Sequence, residues 1–351
     1  IELMLLQHSA VDAYFRKADE YLALYPDDYR TIARLATNIW HQRNDFRAAE
    51  AMARRAIVPQ YERVGIAHDA VGTYLLAQEK YEAALVEYRK ARSLGFSAYA
   101  EFYARAFDVR GQHAEADKVY LASTSGRGGW QGEAGVVTWI DRGDWQKAGE
   151  AARRWAAEAG ASGDAVELLR ARAAEASVAS LGDGGRGANA RRALIDLVGK
   201  LGAEADAAFP PTSTEVRLYA GLLAAHAGDR AGVDEALEAT RGSQVVRDYP
   251  TVAQLQQVVM AEQERLAGKP QAAVERLVPL ARQDTALVAV HWALMRAARA
   301  AGDAGMATAQ QRWLRTHPGR IVAESTTSDV LRFFNIAFLN EARVRPVATR
   351  N

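Results

Sequence analysis

The sequence predicts an all-α fold built from a series of stacked helix pairs, and three observations lead to this prediction. Residues 65–94 carry two apolar stripes at helical spacing, which Glu79 and Lys80 separate. A single pair of this kind cannot bury its own apolar face, so it needs further pairs on either side. Alanine and arginine are abundant and β-branched residues are sparse, and no stretch alternates at period two over the length of a strand.

Composition excludes several classes of protein. A hydrophobic content of 49% excludes general disorder, and a net charge of +1 gives no reason to expect nucleic acid as a partner. No apolar run approaches the ~20 residues of a membrane span, so we predict no direct membrane insertion by this chain. The absence of cysteine excludes a disulfide framework and is compatible with both the cytoplasm and a bacterial periplasm. Because residue 1 is Ile rather than Met, we expect the chain to be a piece of a longer protein.

Turn residues recur along the chain and set the register of the predicted pairs. The steps between them range from 32 to 46 residues. The residues that we interpret as equivalent turns are Asn44, Glu79, Gly111, Gly143, Gly182, Gly228, Gly268 and Gly302. This register predicts roughly eight helix pairs.

Each of the first four second helices starts with a large side chain, and an alanine follows three residues later. These pairs of residues are Phe46 and Ala49, Tyr81 and Ala84, His113 and Ala116, and Trp145 and Ala148. The small residues on the first helices, which allow close packing, are Thr37, Gly72 and Ala104. This pattern resembles the tetratricopeptide repeat, a family of ~34-residue helix pairs.

The resemblance implies a right-handed superhelical solenoid with a concave groove that binds protein or peptide, without catalysis. It is strong in residues 1–159, which we interpret as an N-terminal repeat region. Residues 160–329 are interpreted as degenerate repeats, because the steps lengthen and the aromatic starter is lost. Residues 330–351 are interpreted as a C-terminal capping helix and a basic tail.

The C-terminal helix is unusually apolar. Phe333, Phe334 and Phe338 lie on most of its faces, so it must be covered on more than one side. A solenoid needs its last repeat covered, and we therefore predict that this helix caps its own array. The alternative is an interface with a second copy of the chain, giving a homodimer, or with another protein.

Patterns typical of enzymes and metal proteins are missing. The seven histidines form no HxxxH or HExxH pair. The glycine-rich residues 182–187 follow a helical pattern, whereas a dinucleotide-binding loop follows a strand. No serine lies in a G-x-S-x-G elbow. We predict no catalytic residue, no cofactor and no metal site within this chain.

A set of polar residues lies one position beyond the apolar stripe of the first helices. In the predicted register these side chains project from one wall and line a mixed-charge concave groove; the alternative is a solvated helix face. The groove candidates are Arg34, Asn38, His41, Asp69, Thr73, Glu101, Arg105, Asp108, Trp130 and Glu133. Trp40 and Trp139, near the ends of first helices, are interpreted as core residues.

The function that these features predict is a non-catalytic scaffold for protein–protein interaction. The alanine-rich repeats and the sequence LALYPDDYRT resemble the repeat regions of bacterial signalling proteins, in which a kinase, nucleotide cyclase or winged-helix module accompanies the repeats. The alternative is a structural or envelope-assembly protein that acts through homo-oligomerisation.

Overall fold

The described part of the chain is all-helical, as the sequence predicts. The computed structural model describes residues 11–96, 100–122, 128–182 and 187–344, with side chains omitted at 100, 121–122, 128–131 and 340–344. No strand occurs within these residues. The helices form two compact units, of which the first comprises Ile1–Gly126 with His317–Glu324 and the second Arg127–Thr316 with Ser325–Asn351.

Unit 1 contains three helix pairs, an additional N-terminal helix and a short helix from late in the sequence. Helix α1 packs on α2, and the pairs are α2 with α3, α4 with α5, and α6 with α7. The bounds are α1 Val11–Leu24, α2 Tyr29–Arg43, α3 Phe46–Arg54, α4 Val64–Ala77, α5 Tyr81–Ser93, α6 Ala100–Asp108 and α7 His113–Ala122.

Unit 2 contains five helix pairs in its described residues. The bounds are α8 Gly128–Asp141, α9 Trp145–Ser162, α10 Ala165–Leu181, α11 Gly187–Ala208, α12 Thr212–His226, α13 Arg230–Ala239, α14 Gln244–Asp248, α15 Pro250–Leu266, α16 Pro270–Ala281, α17 Val288–Ala301 and α18 Ala304–Thr316. Helices α8 to α13 pair in order, α14 is a short connecting helix, and α15 pairs with α16 and α17 with α18.

Two helices complete the chain, α19 (Pro318–Ala323) and α20 (Leu331–Val344). In unit 1, α19 packs on the first helices α4 and α6. In unit 2, α20 packs on α8 and α10, from the start of that unit, and on α17 and α18, from its end. The prediction that the C-terminal helix covers the last repeat is therefore incomplete, because α20 also covers first helices far earlier in the sequence.

The predicted turn positions share one backbone conformation, with a single exception. Positive φ angles occur at Asn44, Glu79, Gly111, Gly143, Gly228, Gly268 and Gly302. Gly182 is the exception: it has φ −94° and follows α10 in a right-handed conformation. The left-handed residue between α9 and α10 is Gly163, which the predicted register does not include.

An aspartate follows many of these left-handed residues and starts the next helix. Asp45, Asp144, Asp164 and Asp229 each accept a hydrogen bond from a backbone N–H in the first turn, at 2.9–3.1 Å. A side-chain acceptor at this position satisfies one of the four free N–H groups at a helix start. The Gly-Asp dipeptides in the sequence thus encode both the end of one helix and the start of the next.

Glycines on the first helices allow close approach of the second helices. A Cβ added at Gly72 of α4 would lie 2.8 Å from the Tyr88 ring of α5, and one at Gly221 of α12 would lie 2.7 Å from the Ala236 Cβ of α13. The predicted role of Gly72 as a small residue that allows close packing is confirmed by its approach to Tyr88. The division into compact units concerns packing, whereas the predicted boundary at residue 159 concerns the quality of the repeats and stays a prediction.

We expect Gly72→Leu to lower the free energy of unfolding by about 1–3 kcal/mol, because the new side chain overpacks the contact with Tyr88. Gly199→Leu is the matched control, since a Cβ at exposed Gly199 meets nothing within 4 Å. Urea unfolding of both variants and the wild-type chain measures the difference. Equal stability of Gly72→Leu and the wild-type chain would contradict the packing of α4 on α5.

Candidate functional site

Most of the predicted groove residues are buried within their own unit, so the prediction that they are accessible is wrong for these positions. Arg34 is exposed, and His41 and Glu101 are half-buried. The buried residues are Asn38, Asp69, Thr73, Arg105, Asp108 and Glu133. Trp130 lies in α8, but its side chain is outside the described residues.

Contacts with neighbouring helices explain this burial. Asn38 donates a hydrogen bond to the Tyr14 hydroxyl of α1 at 2.8 Å. Thr73 and Tyr88 share a hydrogen bond at 3.1 Å. These polar positions serve packing between helices, whereas a sequence pattern alone does not distinguish a polar residue facing a neighbour from one facing solvent.

Arg105 and Asp108 form a second internal contact, within α6. The Arg105 Nη1 lies 3.4 Å from the Asp108 Oδ2, and the Asp108 Oδ1 lies 3.0 Å from the His113 Nδ1 of α7. Asp108 is therefore engaged by a cation on its own helix and by an imidazole on the next one. This pairing binds α6 to α7 and leaves Asp108 directed away from solvent.

Asp69 has a different environment. Its side chain is 3% exposed, and its Oδ2 has no hydrogen-bond partner among the described residues. Burial, with a contribution from the charge of Glu101, raises the pKa of this carboxyl well above its ordinary value. Asp69 therefore adds no exposed negative charge to the face of unit 1.

Part of the face formed by the first helices of unit 1 remains open. A pocket between α2 and α4 is lined by Ala33, Thr37, Ile66 and Ala70, all half-buried, together with deeper side chains. The exposed Arg34 lies on α2 next to this lining. The arrangement is an aliphatic centre with a charged margin, which differs from the polar groove that the sequence predicts.

The remainder of this face carries residues 317–324, which we call the strap. Glu79, the turn residue between α4 and α5, accepts hydrogen bonds from two consecutive strap amides. Its Oε2 lies 3.1 Å from the Gly319 nitrogen, and its Oε1 lies 2.9 Å from the Arg320 nitrogen. The Tyr81 hydroxyl also donates to Glu79. Burial raises the pKa of Glu79, while these three donors act in the opposite direction.

Two further residues of unit 1 bind the strap. The Trp40 Nε1 donates to the Ala323 carbonyl at 3.1 Å, and the Asn44 Nδ2 donates to the Glu324 carboxylate at 3.1 Å. Asn44 and Glu79 are the two non-glycine turn residues, with φ of 54° and 62°. Asparagine and glutamate thus occupy a position that is glycine in the other turns. This departure from glycine was the signal in the sequence that could have located the contact with the strap.

Arg320 is the buried cationic side chain of the strap, beside the buried carboxylate of Glu324. Its guanidinium lies 4.3 Å above the centre of the Phe46 ring, and its Nη2 donates to the Asn44 carbonyl at 3.2 Å. Gly319 precedes it, and a Cβ at this position would overlap the Leu76 carbonyl oxygen. The strap thus requires a residue without a side chain followed by an arginine.

A buried charge network holds α20 in unit 2. The Glu133 carboxylate of α8 lies 2.5 Å from the Arg170 Nη2 of α10 and 2.6 Å from the Arg332 Nη1 of α20. Asp329 lies 3.0 Å from Arg170 and 3.4 Å from Arg332. Glu167, which is partly exposed, lies 3.0 Å from the Arg170 Nη1, so two arginines face three carboxylates. Glu133 therefore anchors the C-terminal helix and does not line an open groove.

The three predicted phenylalanines are buried in unit 2, each against a different set of aromatic side chains. Phe333 approaches Trp155, with ring centres 6.1 Å apart. Phe334 contacts Trp292 at 4.9 Å, and Phe338 stacks on Trp292 at 4.5 Å. The helix is thus covered on more than one side, as its composition predicts.

Two titratable residues of α12 lie close to the C-terminal segment: Glu215 is buried and His226 is half-buried. Glu215 accepts a hydrogen bond from the Ser328 backbone N–H at 2.7 Å, and burial raises its pKa to about 7. His226 lies beside Phe338, and burial together with the charge of Arg296 lowers its pKa to about 4. At neutral pH, His226 is uncharged, and Glu215 is divided between its two forms.

The chain matches no protein-family model, and no curated protein matches it. Within the described residues, no group of three or more metal-binding side chains could hold a metal ion. No helix in the same part of the chain is both long and apolar enough to traverse a bilayer. The resemblance to tetratricopeptide repeats stays a prediction, and the open face and the strap are the features from which a function can be argued.

We expect Arg332→Met to lower the free energy of unfolding by about 3–5 kcal/mol, because it leaves buried carboxylates without one of their cations. The double variant Glu133→Leu/Arg332→Met should lose less, since it removes the uncompensated charge. Arg241→Met is the control: its ion pair with Glu238 is exposed and contributes about 0–1 kcal/mol. Urea unfolding measures the free energy of unfolding of each variant. A double variant that is less stable than Arg332→Met would contradict the proposed role of the network.

A second prediction concerns pH. The pKa of Glu215 is higher in the folded than in the unfolded chain, so its contribution to stability falls as pH rises from about 4.5 to about 7. The lowered pKa of His226 has the opposite effect between about 4 and about 6.5. The pH dependence of the wild-type chain therefore combines two opposing contributions, which a comparison of variants with the wild-type chain separates.

Relative to the wild-type chain, Glu215→Gln should gain up to roughly 3 kcal/mol of stability between pH 4.5 and pH 7. The amide keeps an acceptor for the Ser328 N–H but cannot ionise. Glu275→Gln, at an exposed glutamate of α16, is the control and should show no such gain. Denaturant unfolding at several pH values measures both, and parallel curves for Glu215→Gln and the wild-type chain would contradict the assignment.

Proposed function

We propose that this chain is a non-catalytic scaffold that binds a segment of a partner protein on the face formed by the first helices of unit 1. The observation that carries the proposal is the strap. It is a short segment that Trp40 and Glu79 hold on that face through its backbone groups, and that Asn44 holds through the Glu324 carboxylate. The face is therefore suited to holding a peptide.

The open part has the composition of a protein-binding surface. Ala33, Ile66 and Ala70 supply an aliphatic centre, and the exposed Arg34, next to Ala33 in α2, supplies a positive charge. Interfaces of this kind combine an apolar core with a polar rim. The buried Asp69 stays out of the contact, so the partner is selected mainly by shape and apolar complementarity.

The family resemblance adds two parts to the proposal. It implies that the helix pairs form a right-handed superhelix, in which the first helices line the concave side. The likeness of the alanine-rich repeats to bacterial signalling proteins supports a regulatory setting, in which a kinase, cyclase or winged-helix module accompanies the repeats. Both parts rest on the sequence pattern.

Selection of peptides from a random phage-displayed library on the immobilised chain tests the proposal. For the peptides recovered, Ile66→Glu should weaken binding about tenfold or more, because it places a charge at the apolar centre. Val86→Glu is the matched control, since Val86 lies on the second helix α5 and is 60% exposed. Circular dichroism checks that both variants keep wild-type helicity.

Two results would contradict the proposal. One is a library that yields no binding peptide. The other is a set of peptides whose binding is unchanged by Ile66→Glu but is lost in Val86→Glu, which would place the binding surface on the second helices.

A further inference from the structure

The contacts between the strap and unit 1 determine which chemical groups a bound segment must carry. Two consecutive amides meet the Glu79 carboxylate at 2.9 and 3.1 Å, and a carbonyl three residues later meets the Trp40 Nε1 at 3.1 Å. Backbone groups of this kind are present in any segment of the same conformation. The contacts are therefore not restricted to residues 317–324 of this chain.

Side-chain selectivity comes from two adjacent positions. Gly319 meets the Leu76 carbonyl so closely that no other residue fits. Arg320 lies between the Phe46 ring and the Asn44 carbonyl, and it is 8% exposed. A lysine cannot reproduce this arrangement, because stacking on a ring while donating sideways requires the planar guanidinium. The next three residues, Ile321, Val322 and Ala323, are buried and add an apolar requirement.

The backbone of unit 1 is strained at the residues that bind the strap. A glutamate with φ of 62° is uncommon. Apart from Glu79 and Asn44, the residues of the turn series that have a positive φ are all glycines. Strain of this kind is retained where the side chain is needed for a contact. Glu79 and Asn44 hold their side chains toward the bound segment, at a cost that glycine would avoid.

The strap has little structure of its own to contribute. It contains a helix of six residues, and helices this short are not stable in isolation. Its conformation therefore depends on the surface that binds it. A free segment of the same sequence would gain the same conformation when it binds to that surface.

We propose that the surface formed by Trp40, Asn44, Phe46 and Glu79 is a binding site for a partner protein's segment with the pattern Gly-Arg-apolar-apolar-Ala, and that the strap is its tethered occupant. The partner segment takes the place of the strap. This inference rests on the proposed function and names the chemistry of the ligand. The occupant is a partner's segment, because the site recognises a short linear pattern through backbone groups, one arginine and a carboxylate four residues after that arginine.

The strap and a free peptide compete for the same surface, and the covalent connection of the strap to the chain determines the outcome. A tethered segment acts at an effective concentration in the ~mM range, so a free peptide binds weakly while the strap is in place. Weakening the strap without changing the surface should expose the site. Gly319→Val does this, because the added side chain overlaps the Leu76 carbonyl, whereas all four surface residues remain.

The experiment is fluorescence anisotropy with a labelled peptide of residues 316–325 and the full chain. The Gly319→Val chain should bind this peptide roughly a hundredfold more tightly than the wild-type chain does. Gly305→Val is the matched control chain, because Gly305 is exposed on α18, and it should bind as weakly as the wild-type chain. Peptides carrying Gly319→Val or Arg320→Lys should bind the Gly319→Val chain at least about tenfold more weakly than the unchanged peptide.

A second variant covers the case in which Gly319→Val does not fold. Arg320→Ala in the chain removes the inserted guanidinium while leaving the strap backbone intact, and it should also bind the unchanged peptide more tightly than the wild-type chain. Adding Glu79→Gln to either variant should reduce peptide binding, since the carboxylate that receives the two amides is lost.

Several outcomes would overturn the inference. If neither Gly319→Val nor Arg320→Ala increases peptide binding, the strap is a permanent part of the fold. If the wild-type chain dimerises with concentration and no variant binds the peptide, the surface belongs to a second copy. Library peptides that depend on Ile66 would still support the proposed function in either case, so the two proposals fail separately.

Discussion

The first helix of each pair has to be covered by another part of the chain, and much of the structure depends on which segment covers it. A helix pair buries one side against its neighbours and leaves the face of its first helix without a partner. In unit 1, the strap covers part of that face. In unit 2, α20 lies against first helices from the start and the end of the pair series. Segments from the C-terminal part of the sequence therefore complete the cores of both units.

Covering these faces removes polar groups from contact with water, and the chain stabilises the buried groups in two ways. A network of ion pairs joins Arg170 and Arg332 to Glu133, Asp329 and the partly exposed Glu167, so that each arginine contacts at least two carboxylates. Other buried groups are held in, or moved toward, their neutral form, as the raised pKa of Asp69 and the lowered pKa of His226 show. Both solutions avoid an isolated charge in a medium of low dielectric constant. The first also gives α20 a defined position, because charges must meet their partners.

The turns between paired helices link this architecture to the proposed binding site. Most of them need only a residue that accepts a positive φ, and glycine meets that need without strain. Asn44 and Glu79 meet it at some cost and use their side chains to hold the strap. The same position in the repeat is thus a simple turn in one pair and a residue that binds the strap in another. Function in such an array arises from the few positions that depart from the repeat.

The helix pairs, their turns and their close contacts were determined by the sequence itself, because they depend on interactions between residues near one another in the chain. Helical periodicity, the recurrent turn residues and the small residue Gly72 predicted these features. Gly182 also lies at the turn of its pair, after α10, but its φ is −94°, whereas the left-handed Gly163 lies between two pairs and outside the repeat spacing.

The site was decided by the tertiary structure. Asn38, Asp108 and Glu133 are polar residues at the expected helical positions, yet each faces a partner on another helix, and no local pattern records that partner. The strap reaches Trp40 and Glu79 from more than 200 residues away in sequence, as the separations of 283 and 240 residues show. Residues that are so distant meet only when the helix pairs have stacked, so the sequence predicted the elements and the folded chain selected which of their faces remain available for binding.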